Sequence, residues 1–266
     1  MTTAETTAET TAQAQARART QAAAPAPPRS SAAGALRQRR TAPWQADPYT
    51  DALRTGRGPL FLRRADGWLL PLEVERWCAE PDSADLTVLE RCRGSVLDIG
   101  CGPGRLVAAL ASRGRPSLGI DISPAAVAHA VRAGGSALVR SVFDPLPREG
   151  GWHTALLMDG NIGIGGDPLA LLARLAGVVG RAGSLIVETA AAGMDAELDE
   201  RVRVRVDNGN GAPGEAFSWA RVGSRALIRH ARATGWAPSE QWTAAGRRFV
   251  TLERPDHGAA HEAHTP

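Results

Sequence analysis

The chain has 266 residues, 43% of them hydrophobic, and a formal net charge of +3, enough to bury one substantial core with appendages. No apolar run reaches the ~20 residues of a bilayer span, and the arginine-bearing N-terminus is followed by no apolar stretch of a signal peptide, so a cytoplasmic protein without membrane attachment is expected. All 31 basic residues are arginine, which excludes mechanisms built on a lysine, such as a Schiff base or a phosphate-loop lysine.

Residues 1–42 run through Thr-Ala-Glu repeats, Ala and Gln, and then Pro25 to Pro28, with almost nothing large to bury; they read as a disordered leader. Six of the arginines lie in residues 1–40 against Glu5 and Glu9, so the basic character belongs mostly to this leader. Residues 43–85 differ: Trp44, Tyr49, Phe61, Trp68 and Trp77 appear, and Leu70, Val74 and Trp77 share one helical face. Plain packing against a domain flank is one reading of this cap segment. Cys78, Cys92 and Cys101 form no CxxC pair, so reduced thiols are expected, with no disulfide framework and no zinc site.

From residue 86 to 254 strands alternate with helices. Strand 95–99 runs through Val96-Leu97-Asp98-Ile99 into Gly100-Cys101-Gly102-Pro103-Gly104-Arg105 and a helix from Leu106 to Arg113. Glycines at alternate positions let main-chain N–H groups and a helix N-terminus face a ligand. A second strand, 117–121, ends in Asp121-Ile122 about 20 residues on, where an acid can bond both hydroxyls of a ribose. A dinucleotide-binding turn would place a third glycine at 105, where Arg105 stands, so a nicotinamide enzyme is disfavoured.

Further elements follow in order: helix 124–133, strand 137–142, a link from Phe143 to His153 too short for a full helix, strand 154–159, helix 168–179 and strand 184–190. Ser123-Pro124 and Asp167-Pro168 are helix starts, and Gly114, Gly134 and Gly180 are read as stops. Alternating Val and Arg from Arg201 to Val206, then Asn208 to Gly211 and Phe217 to Trp219, read as an inserted β-hairpin near 201–221. A helix 225–234 and strands 236–242 and 248–253 close the domain before a polar tail, 255–266. The whole predicts an α/β, doubly wound, mostly parallel sheet with an antiparallel C-terminal finish.

The string from Val96 to Arg105 resembles the first motif of the class I S-adenosylmethionine-dependent methyltransferases, and Leu118-Gly119-Ile120-Asp121-Ile122-Ser123-Pro124 resembles their second-strand motif. The likeness continues through Phe143-Asp144, Leu156 to Asp159 and Gly183 to Glu188, and implies a Rossmann-like methyltransferase fold with S-adenosyl-L-methionine as cofactor. It further implies that Asp98 with Gly100, Cys101, Gly102 and Gly104 holds the methionine end and Asp121 the ribose. Ile122 and Phe143 would cover the adenine faces, Asp144 would meet the adenine amino group, and Asp159 would border the site. For the cap segment, residues 43–85, the resemblance implies the other reading, a wall of a ligand pocket.

The expected reaction is direct in-line methyl transfer to a small-molecule substrate, with positioning as the main contribution of the protein. The alternative is a regulatory or partner subunit that binds the cofactor without turnover, favoured if the loop walls leave no room beside the methyl. The loop from Asp159 to Gly166 has two readings: close approach to the methyl-transfer point, with Asn161 and, from the cap, Tyr49 touching substrate, or a tight turn into the next helix. It lacks the Pro-Pro-aromatic run that receives a flipped base in amino-methyltransferases, so nucleic acid is disfavoured. No metal site is expected: Asp159 with Asp207-Asn208 reads as turn chemistry, and His257, His261 and His264 lie in the tail. His153 is read as structural, and His129 as remote from the site.

Overall fold

The computed structural model describes residues 47–191, 195–210 and 214–254; the leader, Trp44, the tail and its three histidines lie outside them. Seven strands form one sheet. In chain order they are β3 (Val96–Ile99), β4 (Ser117–Asp121), β5 (Ala137–Val139), β6 (Trp152–Leu157), β7 (Val179–Glu188), β10 (Ala237–Ala244) and β11 (Arg247–Glu253). Their spatial order is β10-β11-β7-β6-β3-β4-β5. The pairs β5–β4, β4–β3, β3–β6 and β6–β7 are parallel, while β11 runs antiparallel to both β7 and β10. This is the doubly wound sheet with the antiparallel finish that the alternation predicts.

The strands at its centre carry apolar side chains to both faces, which is why β3 is buried throughout and reads as a continuous apolar run. On one face α3 (Ser83–Arg91) and α4 (Arg105–Ser112) pack over Val96, Leu156, Ile186 and Phe249. On the other, α6 (Pro168–Val178) and α7 (Ser224–Ala233) cover Leu97, Leu157, Leu185 and Val250. The helix starts are those the sequence marks: before α5 (Pro124–Arg132) the Ser123 hydroxyl accepts from Ala126 N, and Asp167 caps α6 through Leu169 N and Ala170 N. Gly114 and Gly134 take positive φ at helix ends. Gly180 does not stop α6: the helix ends at Val178 and the chain enters β7 directly at Val179, bulging between the Trp152–Val179 and Thr154–Ser184 pairs.

A second, four-stranded antiparallel sheet has the order β2-β1-β8-β9, formed by β1 (Phe61–Arg64), β2 (Leu69–Pro71), β8 (Asp199–Asp207) and β9 (Phe217–Val222). The β8–β9 hairpin thus joins the N-terminal cap, with Leu62 opposite Val206 and Val202 opposite Trp219. With α1 (Asp47–Thr55) and α2 (Val74–Cys78) it encloses a third core of Tyr49, Leu53, Leu60, Leu62, Val74, Val204, Val206 and Trp219. Leu70 departs from expectation: it sits on β2 rather than on a helix with Val74 and Trp77, because β1 offers a strand partner. All three side chains still meet in this core. Strand β5 is also shorter than expected, ending at Val139 where pairing with β4 ends at Asp121.

Candidate functional site

The chain turns at the carboxyl ends of four neighbouring strands and encloses a cavity of about 350 Å³ between them and the cap, within the ~300–1,000 Å³ usual for ligand pockets. Such a crevice is where doubly wound sheets bind ligands. Gly100–Pro103 after β3, Asp121–Ile122 after β4, Arg140–Phe143 after β5, and Met158, Asp159 and Asn161 after β6 all line it.

The glycine turn is forced by its surroundings. Gly100, Gly102 and Gly104 have φ of +69°, +53° and +92°, a region that L side chains rarely enter. A Cβ on Gly100 would stand 2.6 Å from Asn161 Nδ2, and one on Gly104 2.4 Å from Ala130 Cβ. Gly104 therefore seats α4 against α5 and does not line the cavity, whereas Gly100 and Gly102 do. Two side chains hold the turn from outside: Asn161 Nδ2 donates to Ile99 O and Gly100 O, both at 2.9 Å, and His129 Nδ1 lies 3.0 Å from Pro103 O. His129 is thus not remote; its helix packs directly behind the turn.

Asp121 bridges the two motifs, its Oδ2 accepting from Gly102 N at 3.0 Å and its Oδ1 from Ser123 N at 2.8 Å. Burial pushes its carboxyl up to about 6 against those hydrogen bonds. Burial, joined by the charge of Asp159, pushes Asp98 up to about 7. Among the described residues neither Asp98 nor Asp121 has an ion pair. Arg105 lines the same cavity and acts on Asp98, but its guanidinium is paired with Asp85 and Asp159; two buried carboxylates without an ion pair of their own favour a cationic ligand.

Asp159 has the opposite surroundings. It meets Arg76 at 2.7 Å, Arg105 at 3.2 Å and Arg247 at 3.5 Å, and although burial acts to raise its carboxyl, these guanidiniums hold it below the ordinary value. Arg105 also binds Asp85, and Arg247 binds Asp85 and Glu188, while Glu188 accepts from Asp159 N. This network ties α2 of the cap to α3, α4 and β11. Arg76, Asp85 and Arg247 carry no motif at a fixed spacing; Arg105 and Glu188 alone stood in readable strings. Asp207 is engaged elsewhere, by Arg63 and Gly209 N, so it does not join Asp159 in a metal site.

The remaining expectations separate cleanly. Cys101 and Ile122 line the cavity, and Phe143, a residue 46% exposed, lines it as well. Asp144 does not line it; its carboxylate accepts from Ser141 N and closes the turn after β5. Tyr49, the only tyrosine, is 4% exposed in the cavity wall. Burial, with Asp121 nearby, raises its hydroxyl well above the ordinary value, so it stays protonated. The glycines of the 159–166 loop answer mainly to packing: a Cβ on Gly163 would meet Ala220 O at 2.3 Å and one on Gly166 Ser218 Cβ at 2.5 Å. They let the loop lie directly on β9. His153 is structural, with Nδ1 3.0 Å from Ser95 Oγ.

Strand order, crevice and glycine turn define the class, a Rossmann-like domain with the fold of the class I S-adenosylmethionine-dependent methyltransferases. Residues 96–158 match the family model described as a methyltransferase domain. Among solved structures, an S-adenosylmethionine-dependent methyltransferase from Bacteroides fragilis, in complex with S-adenosyl-L-homocysteine, superimposes with a TM-score of 0.65 at 19% identity, covering 81% of this chain and 95% of that one. A methyltransferase from Methanosarcina mazei gives a TM-score of 0.50 at 16% identity, over 66% and 99% of the two chains. A protein solved in work on the conversion of a disulfide bond into a thioacetal group during echinomycin biosynthesis gives 0.52 at 18% identity, over 77% and 91%.

Proposed function

We propose that this methyltransferase transfers a methyl group from S-adenosylmethionine to a small molecule held against the cap. The observation that carries the reading is the pair of buried carboxylates, Asp98 and Asp121, facing one cavity without an ion pair of their own among the described residues. They suit a cofactor bearing an ammonium and a sulfonium, and the open turn at Gly100 and Gly102 suits its close approach. Bound there, the cofactor supplies an activated methyl that an acceptor lone pair displaces in line.

The protein's own part is to bind, orient and exclude water. Asp121 offers its carboxylate to a ribose while Gly102 N and Ser123 N fix its orientation. Phe143 and Ile122 flank the space after β4 and β5, where an adenine would lie. The Asn161 amide is committed to the turn, so it positions Gly100. Tyr49 is a protonated donor beside the turn, a contact for cofactor or acceptor. Asp159, locked by three arginines that hold its carboxyl low, is not placed to act as a general base. That the cavity continues from the turn to the cap wall supports turnover over a module that only holds the cofactor. Isothermal calorimetry with S-adenosylmethionine, S-adenosylhomocysteine and NAD tests the reading: selective binding of the first two, weakened in Asp121→Ala, is expected, and NAD binding or no binding would overturn it.

A further inference from the structure

Helix α2 meets the strand ends through a buried ion pair. Leu72 and Trp77 line the cavity, and between them in the chain stands Arg76, whose Nη1 lies 2.7 Å from Asp159 Oδ1. Both atoms are buried, and neither has a hydrogen-bond partner elsewhere among the described residues. Separating the pair would leave a buried guanidinium nitrogen without a counter-charge, which is costly. The main chain is held at the same point, since Arg105 Nη1 donates to Arg76 O at 3.1 Å. Asp159 itself has a φ of +55°, which a residue other than glycine keeps only where its surroundings impose it. Here they do: Glu188 accepts from its N–H at 2.8 Å, and Arg105 and Arg247 join Arg76 on its carboxylate.

We propose, building on the methyltransferase reading, that Arg76 is a positioning residue: its pair with Asp159 seats α2 over the strand ends and couples that seat to the charge at the cofactor end. Arg76 is the member of the network that α2 carries. Asp82 and Asp85 stand at the start of α3, Arg105 on α4, Glu188 on β7 and Arg247 on β11. Four carboxylates, of Asp82, Asp85, Asp159 and Glu188, share three guanidiniums, so loss of Arg76 leaves two cations among four anions. Asp98 feels this balance. Burial raises its carboxyl most, the charge of Asp159 raises it further, Arg105 opposes both, and Asp121 and Asp85 add to the rise. With Arg76 seated, the Asp159 charge is offset. Without it, Asp98 keeps its proton to higher pH and meets a cationic ligand less readily. The coupling is electrostatic and needs no unfolding of the cap.

The test measures the affinity for S-adenosylhomocysteine by calorimetry across pH 5.5 to 8.5, in the full-length protein. Arg76→Met should move the midpoint of that profile up by about half to one pH unit, the effect of one charge lost nearby. Arg76→Lys keeps the charge and should restore the wild-type midpoint. Arg205→Gln removes an exposed arginine from β8 and should leave the midpoint in place. Asp159→Asn, an isostere that tolerates a positive φ, should move it down, so the proposal stays testable where Arg76→Met folds poorly. Amide exchange on the ligand-free protein reads the seat itself: it should rise across 74–78 in Arg76→Met and match wild type in Arg205→Gln. A midpoint unmoved in Arg76→Met, an equal shift in Arg205→Gln, a shift upward in Asp159→Asn, or unchanged exchange in α2 would overturn the proposal. Failure of S-adenosylhomocysteine to bind the wild-type protein would instead sink the cofactor reading, and exchange in α2 would then decide the seat by itself.

Discussion

The cofactor end of the cavity and its cap end are built by opposite means. At the cofactor end each element is local: Gly100 to Gly104 follow β3 directly, and Asp121 follows β4 and reaches back 19 residues to Gly102. At the cap end the partners are far apart, with Arg63 opposite Arg205 and Leu62 opposite Val206 across the β1–β8 pair. One end is polar and holds the buried carboxylates of Asp98 and Asp121; the other is walled largely by apolar side chains, Leu72, Phe217 and Trp219 among them. The contrast teaches that a local glycine turn and a wall assembled from distant strands arise on different scales of the chain, and that they should fail separately when broken.

The largest effect is expected from Gly104→Val. Its left-handed φ and the Cβ clash with Ala130 each cost about 1–3 kcal/mol, so denaturant unfolding should show a markedly lowered midpoint together with loss of cofactor binding. Leu62→Ala, in the cap core at 1% exposure, should cost about 2–5 kcal/mol of cap packing. Amide exchange should then rise in β1 and β8 while S-adenosylhomocysteine still binds; exchange rising equally in β3 and β4 would mean that the two ends are one cooperative unit. Asp121→Ala should lower cofactor affinity about 10- to 100-fold, as expected for a lost charged hydrogen-bonding group, with a smaller change in thermal midpoint.

A pH series sharpens the contrast at the same end. Asp98 and Asp121 have folded values raised to about 7 and about 6, so the folded protein binds protons there that the unfolded chain has already released. Their contribution to the stability of the ligand-free protein is therefore greatest in acid and is lost as pH rises through 6 to 7. Cofactor binding favours the ionised carboxylates, so its affinity should rise over that window, by up to about tenfold per unit for each proton that must leave. A flat calorimetric profile between pH 5.5 and 8 would contradict this. The smallest effect is expected from Asp144→Ala: because its carboxylate caps Ser141 N rather than lining the cavity, affinity should change by less than about threefold, roughly half a kcal/mol. A larger loss would return Asp144 to the adenine end.

The sequence by itself determined the parallel sheet, the glycine turn, the Ser123 and Asp167 caps and the acids at Asp98 and Asp121. Each is a short-range matter, since a periodicity, a φ requirement or a cap needs only a few consecutive residues to express itself. Only the tertiary structure decided that the cap and the β8–β9 hairpin are one sheet, that Asn161 and His129 brace the turn, and that Asp159 is neutralised by Arg76, Arg105 and Arg247. Strand pairing over more than a hundred residues and ion pairing among scattered arginines leave no fixed spacing in the chain. An arginine that neutralises a buried carboxylate and one that faces solvent read alike until the fold removes water from the first.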